Sequence, residues 1–269
     1  MNNLAPNIFA IVLYLLSGSV AAARLFGTGS ISGTRKPTLL SLGVLALLIH
    51  GGLLYQELFT RQGINLGIFN AFSLVSWLIA LMLIVTAISK PIENLGIALF
   101  PLAAFAITLE ISWPANHFIA GSAPWQLKAH ILFSFIAYSL FTIAMVQAIV
   151  LYIQDKHLRD HRPGGFIRSL PPLQSMEYLL FQIIAVGYAF LTVGLIIGGL
   201  FLDELFTKHL AHKTILSIIA WGIFSVLLWG RFRYGWRGRK AIRWTLGGFI
   251  TLMLAYFGSK LVLELILNR

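Results

Sequence analysis

Apolar residues run along this chain in eight blocks, near 7–26, 38–56, 67–88, 95–112, 127–153, 177–201, 214–231 and 244–265. A helix that crosses a bilayer needs about 20 mainly apolar residues, and each block is close to that length. The breaks between blocks are short and carry turn or charge signals, as in "GTGSISGTRKP", "SKPIEN" and "GRFRYGWRGRK". No break reaches the length of a soluble domain. The pattern predicts an all-α, polytopic membrane protein of about eight transmembrane helices, built as a single integral membrane domain over 1–269. The first block has no basic stretch ahead of it and more blocks follow, so it reads as a retained helix rather than a cleaved signal peptide.

Polar residues inside the blocks have a structural reading. Asn70, Ser73, Ser76, Gln147 and Gln182 are placed to hydrogen-bond between helices. The run "GLIIGG" at 194–199 permits close helix packing, and Pro101 kinks the fourth block. Glu110, at the outer edge of that block, is expected to pair with Lys128.

Composition agrees with a bilayer as the solvent. The chain is 58% hydrophobic and 11% charged, against about 25% charged in a typical soluble domain. It has no cysteine, which excludes disulfides, thiolate metal sites and cysteine nucleophiles. No phosphate-binding loop, dinucleotide fingerprint or catalytic triad stands at recognisable spacing, and no stand-alone catalysis is expected. The net charge of +11 would suit nucleic acid if it were spread evenly. It is not: alternate breaks, around 24–36, 90–93, 155–177 and 231–243, hold fourteen of the twenty cations. Cations concentrate on the cytoplasmic side of membrane proteins. That side therefore faces the cytoplasm, both termini face the periplasm of a bacterial inner membrane, and nucleic acid is not a partner. Membrane lipid is, with Trp229, Trp236 and Trp244 at headgroup level.

Five of the seven histidines then fall on or near the outer side: His50, His117, His130, His209 and His212. His157 and His161 lie in a cytoplasmic loop as solvated residues. An ionisable side chain inside a span is costly and marks function, and neutral imidazole is a common axial ligand of haem iron. His50 and His130 are the candidate iron ligands, and His209 and His212 precede the seventh block on the same side. Trp77, Trp113 and Trp125 supply flat apolar walls. Zinc competes as a ligand for "HLAH", but the pair stands at i, i+3 with no carboxylate at metal spacing. Equally, His130 reads as a residue reaching for the interface, and His209 and His212 as wet loop residues.

The segment "HKTILSIIAWGIFSVLLWGRFRYGWRGRKAIRWTLGGFITLMLAYFG" resembles the cytochrome c assembly family of membrane proteins, the CcsA/CcmC-type haem handlers. Lys213, Trp221, Arg231, "GWRGRKA" and "AYFG" stand in the family's order and spacing. "LLIHGGLLYQELFTRQGINLGIFNAFSLVSW" resembles the family's early span and places His50 on its intramembrane histidine. "HILFSFIAYSLF" places His130 on an outer haem-ligating histidine. The likeness runs from about 40 to 260. It implies non-covalent, b-type haem near the outer face and another membrane or cytochrome c maturation protein as partner; Trp113, Trp125 and His212 are expected to line that site, and His209 or His212 to replace a lost outer ligand, a substitution that no family pattern supplies. There are departures. "FTKHLAHKT" replaces the family's tryptophan-rich loop, Trp229 replaces a second intramembrane histidine, and "LELILNR" ends the chain without a late outer histidine. This pattern resembles the HemX/YpjD-type branch. It leaves an alternative open: a non-catalytic scaffold that has lost haem ligation and acts on a protein partner.

Overall fold

The computed structural model of the chain describes residues 4–27, 36–60, 63–113, 118–119, 123–160, 164, 167, 169–201 and 211–258. Among these are eight helices long and apolar enough to cross a membrane. They are α1 (Leu4–Phe26), α2 (Lys36–Leu58), α3 (Ile68–Ser89), α4 (Gly96–Ser112), α5 (Trp125–Arg159), α6 (Leu173–Phe201), α7 (Ala211–Tyr234) and α8 (Arg239–Met253). A 3-10 turn at Glu93–Leu95 precedes α4, and a π-helical turn at Leu254–Gly258 extends α8. The protein is all-α and polytopic, as the apolar blocks predict. The blocks understate α5: at 35 residues it is roughly 50 Å long, so its charged last turns continue past the apolar block. His157 belongs to those turns rather than to a loop, and its Nδ1–H donates to the Ile153 carbonyl at 2.9 Å.

The apolar pattern also misses three very short strands, β1 (Phe59–Thr60), β2 (Gly63–Asn65) and β3 (Phe118–Ile119). They pair antiparallel in the order β1-β2-β3, with Phe59 opposite Ile64 and Ile64 opposite Ile119. Strands this short give no period-2 signal. Gly63 adopts a φ of 128°, which only glycine takes without strain. The Asn65 side chain accepts from the Gly67 N–H at 3.2 Å and so leads the chain into α3.

The chain divides into two compact units, 1–122 with 163–171, and 123–162 with 172–269. In the first, α1 packs on α2 and α4, and α3 packs on α2 and α4, which closes a four-helix ring. Lipid tails are as apolar as leucine, so close packing through small residues holds such helices together. The buried face of α1 is Ala10, Leu13, Tyr14, Ser17, Gly18 and Ala21. A Cβ on Gly18 would sit 3.1 Å from the Pro101 ring of α4, so the missing side chain lets α4 approach. Phe100 of α4 fills the notch above Gly43 of α2 and stacks on Tyr14, with centroids 6.0 Å apart. The basic end is tied by Glu93, which ion-pairs with Arg24 at 3.7 Å and Lys36 at 3.4 Å.

The second unit repeats the cyclic order with α5, α6, α7 and α8. Its core is a stacked ring pair, Phe141 of α5 on Phe224 of α7, with centroids 3.9 Å apart. Two glycines make room: a Cβ on Gly248 of α8 would meet Phe224 at 2.8 Å, and one on Gly187 of α6 would meet Phe141 at 3.3 Å. All four helices thus converge on one contact. The "GRFRYGWRGRK" break is folded back on itself. Gly235 and Gly238 take φ of 64° and 59°, and the Trp236 ring lies over Gly230 and under Lys240, whose ammonium is 3.5 Å from the ring centroid. Two buried acids hold this turn. Glu177 accepts from the Gly238 N–H, and Asp155 pairs with Arg239 at 3.3 Å and Arg159 at 3.1 Å.

Candidate functional site

His50 sits on the buried face of α2, 1% exposed. Imidazole in such a place needs polar partners, and both ring nitrogens have one. Nε2 lies 2.9 Å from the Ser73 hydroxyl of α3, and Nδ1 lies 3.3 Å from the Tyr14 hydroxyl of α1. Ser76 donates to the Ser73 carbonyl at 2.8 Å. Tyr14 of α1, His50 of α2 and Ser73 of α3 therefore enter a single hydrogen-bonded array. Trp77 lies beside it, and its indole N–H donates to the Leu47 carbonyl at 2.9 Å, pinning α3 to α2.

Ser73 reaches across helices as its sequence position suggests, and Gln147 does too, donating to Met176 of α6 at 3.1 Å. Ser76 instead bonds within α3, and Asn70 reaches back to the Asn65 carbonyl at 3.5 Å. Tyr14 carries no motif that would single it out. Its signal is helical spacing: a lone tyrosine on the same stripe as Ala10, Ser17 and Ala21 marks the buried face of an otherwise apolar helix.

His130 stands one turn into α5 in the second unit and is half-buried. Its Nδ1 is 2.7 Å from the Gly194 carbonyl of α6. A carbonyl can only accept, so Nδ1 carries the proton and Nε2 carries the lone pair. Metal-bound histidines are commonly held this way, with the second N–H on a backbone carbonyl. Gly194 makes the approach possible. A Cβ there would already touch Ser134 of α5 at 3.4 Å, so the "GLIIGG" run serves this bond as well as helix packing.

The remaining candidates are placed as follows. Trp125, the first residue of α5, is 68% exposed, and Trp113, at the end of α4, is 58% exposed and tilts against Phe69 at 6.0 Å. His212 is exposed in the first turn of α7. His209 and His117 lie outside the described residues. Trp229, which stands where the family's second intramembrane histidine is expected, faces outward on an apolar groove of about 580 Å³ with Tyr188 and Phe232. Among the described residues no three histidines, aspartates or glutamates cluster as a metal-ion site. A haem iron needs only one or two axial donors, and the donor chemistry of His50 and His130 fits it. His130 presents a nitrogen directly, whereas His50 must release Tyr14 or Ser73 first.

An eight-helix membrane protein with one imidazole buried in the first four-helix ring and another pinned in the second defines a class of polytopic, histidine-bearing membrane proteins. Comparison with known proteins gives that class its family. Residues 39–267 match the family described as Cytochrome C assembly protein, and the chain belongs to it. It is 33% identical over 240 residues to the inner membrane protein YpjD of Escherichia coli strain K12, covering 87% of this chain and 89% of that one. It is also similar to the cytochrome c biogenesis protein CcsA of Chlamydomonas reinhardtii, with 25% identity over 60% of this chain and 45% of the relative. Protein HemX of Brevibacillus brevis is 26% identical over 49% of each chain. No solved structure matches.

Proposed function

We propose that this protein is a haem-binding membrane protein of cytochrome c biogenesis, with His50 and His130 as the residues that would ligate haem iron. The observation that carries the reading is the Nδ1–H bond of His130 to Gly194, which leaves Nε2 able to coordinate. Haem, when bound, supplies the redox-active iron and the macrocycle that assembly chemistry handles. The chain supplies ligation, orientation and exclusion of water. His50 is seated among neutral hydroxyls and serves as a neutral donor. The haem is non-covalent and b-type. The chain works as one integral membrane domain over 1–269, in a bacterial inner membrane with both termini periplasmic, as its cation asymmetry and its likeness to an inner membrane protein suggest. Its partners are lipid, haem and another membrane or cytochrome c maturation protein.

The decisive measurement is the absorption spectrum of the chain purified in detergent from haem-supplemented cells, beside His50→Ala and His130→Ala. A Soret band that weakens or shifts in each variant is the expected result. A colourless protein that takes up no added hemin would sink the reading. The outward-facing Trp229 favours a second one in that event: a scaffold that has lost haem ligation and acts on a protein partner.

A further inference from the structure

At the basic end of the first unit lies a cavity of about 120 Å³ that the haem reading does not use. Arg24, Glu93, Asn94 and Ser169 line it, with Leu25 and Leu39 beside them. Water takes about 30 Å³ per molecule in the liquid, so the cavity has the size of a small polar group and not of a macrocycle. Its charges are loosely paired. Arg24 Nη2 is 3.7 Å from Glu93 Oε1, beyond hydrogen-bonding distance. Lys36 Nζ is 3.4 Å from Glu93 Oε2 but donates to the Lys90 carbonyl instead. Among the described residues, Arg24 Nη1, Glu93 Oε2 and both amide atoms of Asn94 are buried with no hydrogen-bond partner. Buried polar groups in native proteins are almost always partnered. Four such atoms on three residues that line one cavity point to a partner from outside the chain.

The four atoms sort by their chemistry. Arg24 Nη1 and Asn94 Nδ2 donate, and the Ser169 hydroxyl can donate beside them, which suits a phosphate. Glu93 Oε2 and Asn94 Oδ1 accept, which suits an ammonium. The Asn94 amide turns about a broad terminal torsion and can serve either group. Basic pockets between membrane helices take anionic headgroups. Here an acid stands among the cations, and it asks for a positive group as well. We propose that this cavity is a phospholipid site that takes a phosphate–ammonium headgroup, as phosphatidylethanolamine carries, with Arg24 and Asn94 on the phosphate and Glu93 on the ammonium. Phosphoethanolamine in solution offers the same polar chemistry. Position favours the lipid. Arg24 is in the last turn of α1, and Glu93 begins the span that contains α4. Both are at the ends of spans, where headgroups lie, and Leu25 and Leu39 carry the cavity wall onto apolar helices. The site is independent of the haem reading.

The test is native mass spectrometry of the delipidated full-length protein in detergent. It is titrated with phosphatidylethanolamine, phosphatidylglycerol or phosphatidylcholine of the same acyl chains. Phosphatidylethanolamine is expected to bind about tenfold tighter than the other two, the worth of one charge-assisted hydrogen bond. Phosphatidylcholine has no N–H to donate, and phosphatidylglycerol has no cation. Asn94→Leu keeps the size of the side chain and is expected to weaken phosphatidylethanolamine about tenfold. Glu93→Gln is expected to abolish the preference over phosphatidylglycerol. Equal binding of the three lipids by the wild type overturns the proposal and leaves water as the partner of these groups, and a preference for phosphatidylglycerol overturns it too. So does a folded Asn94→Leu chain that binds as the wild type does, or a Glu93→Gln chain that keeps the preference. If Asn94→Leu does not fold, the wild-type lipid series and Glu93→Gln decide. Phosphoethanolamine that displaces the lipid at equal concentration overturns the lipid assignment in favour of a soluble ligand.

Discussion

Gly51 and Gly52 are neighbours on α2, next to His50, and the packing around them predicts opposite outcomes for the same substitution. A Cβ on Gly51 would lie 2.9 Å from Trp77 Nε1 and 3.2 Å from two ring carbons. Comfortable carbon contacts are about 3.5–4.0 Å, so the indole must retreat by roughly 0.5 Å. That retreat stretches the Trp77 bond to the Leu47 carbonyl, now 2.9 Å, to the edge of hydrogen-bonding distance. Overpacking of this kind costs about 1–3 kcal/mol, and a strained interhelical bond in a membrane protein adds about 0.6 kcal/mol. Alanine returns about 1 kcal/mol through its better helix propensity. Gly51→Ala should therefore destabilise by about 0.5–2.5 kcal/mol. A Cβ on Gly52 meets nothing within 4 Å, so Gly52→Ala keeps the propensity gain and is neutral or stabilising by up to about 1 kcal/mol. At about 2–4 °C per kcal/mol, thermal unfolding in a single detergent should separate the two variants by several degrees. A Gly51→Ala protein as stable as Gly52→Ala would refute the reasoning, because the clash with Trp77 is the one difference invoked.

Two further outcomes follow from the second unit. Glu177→Ala removes the acceptor of the Gly238 N–H from a residue only 8% exposed. A bond to a charged group is worth about 1.5–3 kcal/mol, so the "YGWRGRK" turn should loosen and trypsin should cut after Arg237 or Arg239 faster than in the wild type, at unchanged helix content. Gln147→Met should cost less than about 1 kcal/mol in the same unfolding assay. Gln147 Oε1 is buried without a partner, so the loss of one bond to Met176 is offset by removal of an orphaned acceptor. A large loss of stability there would mean that Gln147 has a role beyond that bond.

The existence and type of the eight helices were legible in the sequence because a bilayer leaves so few solutions. In hydrocarbon every backbone group must be satisfied within the segment, so an apolar run of the right length becomes a helix. His50 and His130 stood out as candidates in the sequence for a related reason, since an imidazole inside an apolar run is costly to place. The ends of the elements were less legible. The helical length of α5 beyond its apolar block depends on charged residues that carry no apolar period, and β1, β2 and β3 are too short to show any. What only the tertiary structure decided is which side chains meet. Nothing in the order of residues puts Tyr14, His50 and Ser73 in one array, or Phe141, Gly187, Phe224 and Gly248 around one contact. Those meetings depend on how each helix is rotated about its axis. That rotation is set by small residues such as Gly18, Gly194 and Gly248, whose missing side chains let one particular neighbour come close.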